Sequence, residues 1–193
     1  GLRYSNDTLY MSFSAGLNRT ELKTENLIQE VGLQSDFNIF AYNGYFAYNF
    51  KDKSRISTWF SNSTQIPSVR QLQPVSIQTD PLNIVEGNPN LDAAIVHRIN
   101  LNYNKFDYKT RSGFGLYTSY TYNQDQVVPV VTTDEDLVRT TTYTNLSGGQ
   151  QAYFSFYLNK SLKKTKNEND REDISFGTDL DLTYRKNLGF SNE

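Results

Sequence analysis

The feature that most constrains this chain is a two-residue alternation of apolar and polar side chains, sustained over unusually long stretches. From Leu9 the odd positions read Leu9, Met11, Phe13, Ala15, Leu17, with Tyr10, Ser12, Ser14, Gly16 and Asn18 between them. Ile95, His97, Ile99, Leu101 and Tyr103 alternate with Arg98, Asn100, Asn102 and Asn104. Ile174, Phe176, Leu180, Leu182 and Tyr184 alternate with Ser175, Gly177, Asp179, Asp181, Thr183 and Arg185. Four further segments, near 40–50, 54–62, 113–123 and 151–158, repeat the pattern. Successive side chains of a strand point to opposite faces, so each segment carries one apolar and one neutral-polar face. Many of these segments approach or exceed ten residues, against about five or six for an ordinary strand. About nine to eleven is the length a tilted strand needs to cross hydrocarbon.

Little else competes with that signal. No apolar run approaches the ~18 residues of a spanning helix. No basic segment leading into an apolar stretch opens the chain, as a mature or excised piece would also show. The best helical candidates are short, Glu21–Glu30 and Ser68–Leu72. Composition agrees with strands that are greasy on one side and wet on the other. Hydrophobic residues make up 37% and charged residues 21%, and the balance is Asn, Ser, Thr, Gln and 14 tyrosines. The absence of cysteine excludes disulfides, thiolate metal sites and cysteine catalysis. One histidine excludes multi-histidine zinc sites. A net charge of −2 recruits neither nucleic acid nor an anionic surface.

The connections alternate in length. Asp52–Ser54 and Asp107–Arg111 are short and charged, whereas the stretches near 20–36, 63–94 and 127–140 are long. Asn159–Asp173 is a long charged excursion on the short-turn side, expected to be solvated and mobile. Short turns at one rim and long loops at the other describe a transmembrane barrel. Hydrocarbon offers no hydrogen-bond partner, so strands cross it only with their edges paired. The expected fold is all-β, an antiparallel up-and-down transmembrane β-barrel segment of about seven to eight strands over residues 1–193. A soluble antiparallel sandwich, in which each apolar face packs on its twin, is the alternative reading.

The run Ile66-Pro67-Ser68-Val69-Arg70-Gln71-Leu72-Gln73-Pro74, followed by Asp80-Pro81-Leu82-Asn83-Ile84-Val85-Glu86-Gly87-Asn88-Pro89-Asn90-Leu91, resembles a loop signature of TonB-dependent outer-membrane receptors. Asp92-Ala93-Ala94 stands where that family usually has Lys-Pro-Glu. The order of strands around the motif resembles the branch described as outer-membrane protein beta-barrel, across nearly the whole chain. The resemblance implies residence in the outer membrane and uptake of a scarce ligand such as a siderophore or carbohydrate. It also implies a plug domain, TonB as the energy-coupling partner, and no enzymatic activity. Barrels of that kind have about 22 strands, so the chain is expected to be part of a barrel wall, with neither plug nor TonB box visible. A complete eight-stranded structural barrel is the alternative within the same class.

Pro67, Pro74, Pro81 and Pro89 fix φ and remove donors, which predicts a shaped loop rather than simple ladder. Gly87-Asn88 reads as a turn pair with φ > 0 available at Gly87. Arg70, Gln71 and Asn88 are the ligand-contact candidates of this loop. Tyr45, Trp59, Tyr117, Tyr153 and Tyr157 fall on the polar face. Of these, Tyr117 and Tyr153 are the candidates for stacking a ligand in the lumen.

The remaining constellations read as structural. Asp179 and Asp181 share a face about 7 Å apart and read as hydrated charges balanced by Arg185. Asp134-Glu135-Asp136 lacks the alternating ligands of a calcium loop. His97 reads as interfacial. The lysines at 160, 163, 164 and 166 are neutralised by the acids that follow. Asn-x-Ser/Thr triplets at Asn6, Asn18, Asn62, Asn145 and Asn159 are about as frequent as composition predicts. No catalytic triad or phosphate-binding loop is present, and no cofactor or metal is expected.

Overall fold

A computed structural model describes residues 1–26, 31–74, 77–162 and 174–190. Among them are twelve strands and one four-residue helix. The strands are β1 (Leu2–Ser5), β2 (Leu9–Asn26), β3 (Val31–Asn49), β4 (Arg55–Gln65), β5 (Ile77–Asp80), β6 (Asn83–Val85), β7 (Ala94–Asp107), β8 (Ser112–Gln124), β9 (Gln126–Thr133), β10 (Arg139–Leu146), β11 (Gly149–Ser161) and β12 (Ser175–Lys186). The helix is α1 (Val69–Leu72). Eight strands form one sheet in the order β1-β2-β3-β4-β7-β8-β11-β12, with every neighbouring pair antiparallel. β1 and β12 are its two edges. A second sheet, β5-β6-β10-β9, is built within the long connections and contains one parallel pair, β6 with β10.

The register aligns the apolar rows of all eight main strands on one face. One row runs Tyr4, Met11, Phe46, Thr58, Leu101, Thr118, Phe154, Leu182. The opposite face carries rows such as Arg3, Ser12, Tyr45, Trp59, Asn100, Ser119, Tyr153, Thr183. A one-residue slip between any two strands would mix these faces. The apolar face is uncovered: Met11, Phe13, Ile99, Leu180 and Leu182 are 40–56% exposed. Among the described residues no second sheet packs against it as a sandwich requires.

Asn or Asp organises three short turns of the main sheet. Asn6 Oδ1 accepts from the backbone N–H groups of Thr8 (2.9 Å) and Leu9 (2.6 Å). Asp52 Oδ1 accepts from the Ser54 N–H and hydroxyl, and Lys53 takes φ 67°. Asp107 accepts from the Lys109 N–H and the Thr110 hydroxyl, both at 2.9 Å, and Arg111 takes φ 48°. These short side-chain oxygens satisfy backbone donors that the ladder leaves free. The Lys105 ammonium, with the Ser54 hydroxyl and N–H, holds the Asp52 carboxyl far below the usual range. The Thr110 hydroxyl and the Lys109 N–H likewise lower Asp107.

The long connections are more ordered than their sequence implies. Residues 20–36, expected as a loop, continue β2 and β3 as paired ladder out to Asn26 and Val31. The helix expected at Glu21–Glu30 is therefore strand over 21–26, and its remainder lies outside the described residues. The connection 63–94 holds the end of β4, α1, β5 and β6, while 127–140 holds most of the β9–β10 hairpin. The excursion expected at Asn159–Asp173 is strand to Ser161, and residues 163–173 lie outside the described residues. β3 pairs with β4 only as far as Asn43. There the Asn62 side chain takes over, donating to the Phe40 carbonyl (2.6 Å) and accepting from the Tyr42 N–H (2.7 Å). This frees the outer arm of β3 to lean over the loops.

Against that arm lies the buried core. Phe37 and Ile39 pack with Leu72 of α1 and Leu91, and Leu22, Ile66, Ala93, Val127 and Tyr143 close around them. These residues come from all three long connections or the strand ends beside them, so the connections form one folded cap at the long-loop end of the sheet.

Candidate functional site: the lumenal wall and its capped mouth

Two belts of aromatic side chains mark the apolar face. Near the short turns Phe50 contacts Tyr48 edge-on at 4.8 Å, Phe50 meets Tyr103 at 6.5 Å, and Tyr103 meets Phe114 at 5.6 Å. Toward the long loops His97 lies 6.2 Å from both Tyr42 and Tyr122. His97 Nδ1 is 2.8 Å from the Tyr42 hydroxyl, and its Nε2 is 3.2 Å from Gln124 Oε1. Both ring nitrogens are thus partnered within the belt. Amphipathic rings at two levels, with aliphatic and Phe rows between them, match the interfaces of a bilayer.

The opposite face is wet and aromatic together. Tyr117 and Tyr153 lie 5.9 Å apart. The Tyr117 hydroxyl donates to Asn100 Oδ1 (3.0 Å), and that of Tyr153 to Asp181 Oδ1 (2.7 Å). Tyr157 lies over Gly115, where a Cβ would collide with its ring. On the other flank Tyr10 meets Tyr45 edge-on at 5.6 Å. Tyr10, whose even position in β2 shares a face with Ser12 and Ser14, thus joins the five polar-face aromatics expected from the sequence.

The mouth is built around α1. The Gln71 side-chain carbonyl accepts from the Ser68 N–H (2.8 Å) and hydroxyl (2.9 Å), closing the start of the helix. The carbonyls at its other end, Gln71 O and Gln73 O, accept from the Asn88 N–H (2.6 Å) and the Gly87 N–H (3.1 Å). Asn88 also donates to the Tyr143 carbonyl (2.9 Å) and accepts from the Asn90 N–H (2.9 Å). Gly87 is buried, and its φ is not positive, contrary to the turn expectation. It is required by close approach, since a Cβ there would meet the backbone of Gln73 and Arg70. Asn145 joins two connections, with its amide donating to the Asp92 (3.0 Å) and Asp125 (2.6 Å) carbonyls. Three of the five Asn-x-Ser/Thr asparagines, Asn6, Asn62 and Asn145, therefore hold turns or strand junctions together.

The structure gathers the sequence candidates into two groups. Arg70, Gln71 and Asn88 adjoin one another in the cap, with Arg70 exposed and the amides of Gln71 and Asn88 engaged internally. Tyr117 and Tyr153 adjoin one another on the wall. Tyr117 pairs with Asn102, eight residues along β7 from Ala94, where that strand enters the cap. No cluster of His, Cys, Asp and Glu suited to a metal is present among the described residues.

An antiparallel meander with an apolar, belted face and a neutral-polar face defines the wall of a transmembrane β-barrel. The chain belongs to the outer membrane protein beta-barrel family, whose model matches residues 3–189, and its place is the outer membrane with its apolar face against lipid. Neither the curated proteins nor the solved structures contain a match to this chain.

Proposed function

We propose that this chain is wall and external mouth of a TonB-dependent receptor that takes up a scarce ligand, and that it performs no chemistry of its own. The observation that carries the reading is the folded cap. The motif at 66–91, which resembles a receptor signature, is anchored by Leu72 and Leu91 on the inward side chains of the β3 arm. A mouth held in one shape suits selection of a ligand better than free diffusion of solutes. In this reading Arg70 contacts the ligand at the mouth, and Tyr117 and Tyr153 offer rings along the lumen. Gln71 and Asn88 act through the shape of the loop. A plug domain and TonB are the partners the reading requires of the intact protein.

The test is accumulation of labelled ferric citrate, cobalamin and a maltooligosaccharide in cells producing the intact protein, with the inner-membrane proton gradient intact or collapsed. A receptor concentrates at least one probe, and only while the gradient stands. Equal passive entry of all three, unchanged on collapse, would mean an open pore.

A further inference from the structure

The inward strand positions of the wall carry an uneven charge. From β1 to β11 they present Arg3, Arg55 and Arg98 and no carboxylate; acids first appear on β12, as Asp179 and Asp181. Arg98 donates to the Ser63 hydroxyl (2.9 Å) at the cap end. The other two arginines converge near the short turns. The Arg3 guanidinium carbon sits 5.0 Å above the Tyr10 ring, Tyr10 meets Tyr45, and Arg55 Nη2 donates to the Tyr45 hydroxyl (3.1 Å). Among the described residues none of the three arginines has a carboxylate partner. Beside this chain of contacts lies an open depression of about 430 Å³, lined by Ser5, Tyr10, Ser12, Tyr45, Asn49 and Arg55 among others, with no acidic lining residue. The nearest acid in sequence, Asp7, sits in the β1–β2 turn outside that lining.

We infer that this depression is a binding site for a small solute bearing an oxyanion, either carboxylate or phosphate. Arg55 uses one N–H on Tyr45, which braces the guanidinium and leaves its other donors for a paired contact with two oxygens. Arg3 is not itself part of the lining; stacked on Tyr10, it adds a second positive charge against one of the lining rings. The Ser, Tyr and Asn groups add neutral donors and acceptors, and the volume falls within the range of small-molecule sites. Among the described residues no carboxylate neutralises Arg55 or the neighbouring Arg3, so an anion in the hollow meets uncompensated positive charge. The site is set low on the wall, away from the mouth, and the inference holds for a barrel of any role.

Trp59 is the only tryptophan of this chain and pairs with Tyr45 on the same face, so with any tryptophan outside residues 1–193 replaced by phenylalanine its fluorescence reports on the site. The intact protein in lipid nanodiscs is titrated with citrate, with inorganic phosphate and with glucose at millimolar concentrations. A saturable response to citrate, phosphate or both, and none to glucose, is expected, and the anion that responds identifies the source of the oxyanion. Arg55→Gln weakens that binding about tenfold or more, as loss of a charge-assisted pair implies. Arg55→Lys recovers part of it. Arg98→Gln leaves it unchanged, because Arg98 pairs with Ser61, six residues or about 20 Å along β4 from Arg55. Heat-modifiable gel migration shows that each variant is folded. No saturable response to either anion, an equal response to glucose, or equal weakening by Arg98→Gln would overturn the site.

Discussion

The wall and the cap are made from the same strands under opposite rules. In the wall, apolar side chains point outward and stay uncovered, as Leu182 at 56% exposure shows, while the inward rows are Asn, Ser, Thr and Tyr. In the cap, apolar side chains point inward and are buried, as Leu72 at 0% shows. β3 passes from one regime to the other within four residues. Phe40 faces outward at 54% exposure, and Ile39 and Phe37 face inward at 8% and 7%. The solvent explains the inversion. Lipid replaces water outside the wall, so burying grease inside would gain nothing there and would dry the lumen. Beyond the bilayer, water surrounds the cap, and the ordinary hydrophobic effect gathers its apolar groups into a core.

The largest expected effect breaks the cap and spares the wall. Leu72→Ala removes the most deeply buried side chain of the cap core and costs about 2–5 kcal/mol of local stability. Hydrogen exchange at α1 and at Gly87-Asn88 should accelerate, while the urea transition of the wall, read by Trp59, should not move. A shared transition for both regions would show that they are one cooperative unit.

A slightly smaller effect sharpens the contrast between the faces of the wall. Leu101 and Asn102 are neighbours on β7, outward and inward. Leu101→Arg sets a charge in the middle rows against lipid and costs about 2–4 kcal/mol. Asn102→Arg leaves the charge in the wet interior and should cost far less. Urea unfolding from lipid vesicles compares the two.

The smallest effect lies at the rim. The Asp52 carboxyl titrates below its unfolded value because Lys105 and Ser54 hold it ionised. Its contribution is therefore complete above the unfolded carboxyl range and is lost as pH falls through the lower folded value. Asp52→Asn should lower stability slightly at neutral pH and leave it unchanged in strong acid, so the acid limb of the stability profile flattens. The pair is solvent-exposed, so 0.5 M salt should mimic the substitution.

The legible parts of this fold are those governed by one solvent rule. Each of the seven alternating segments is a strand of the main sheet, and Leu2–Ser5 is an eighth, because the wall keeps its apolar phase from turn to turn. The arm at 20–36 was illegible because the phase reverses. On β2 the outward odd series ends at Leu17, and Leu22, on an even position, faces the cap core. On β3 Ile39 and Phe40 are apolar in succession, which reads as the end of a pattern rather than a passage between environments. Ser68–Leu72 was legible as a helix from its local residues. Its tertiary setting was not, since Gly87 and Asn88 reach the end of α1 from 14 and 17 residues along the chain, at Gln73 and Gln71. Of the candidate site residues, Tyr117 and Tyr153 could be assigned to a face by parity alone. The Arg3–Tyr10–Tyr45–Arg55 cluster needed the register of four strands.

The claim that the apolar rows face lipid while the asparagine rows face water can be measured directly, because this chain has no cysteine and any cysteine outside it can be replaced by serine. Single cysteines at Leu101 and Asn102 of the intact protein in lipid vesicles would carry spin labels. Their relaxation by oxygen and by a water-soluble nickel complex would then be compared. The label at Leu101 should be relaxed by oxygen and spared by nickel, and the label at Asn102 should show the reverse. A Leu101 label sheltered from both reagents, as in a dry protein core, would contradict the account.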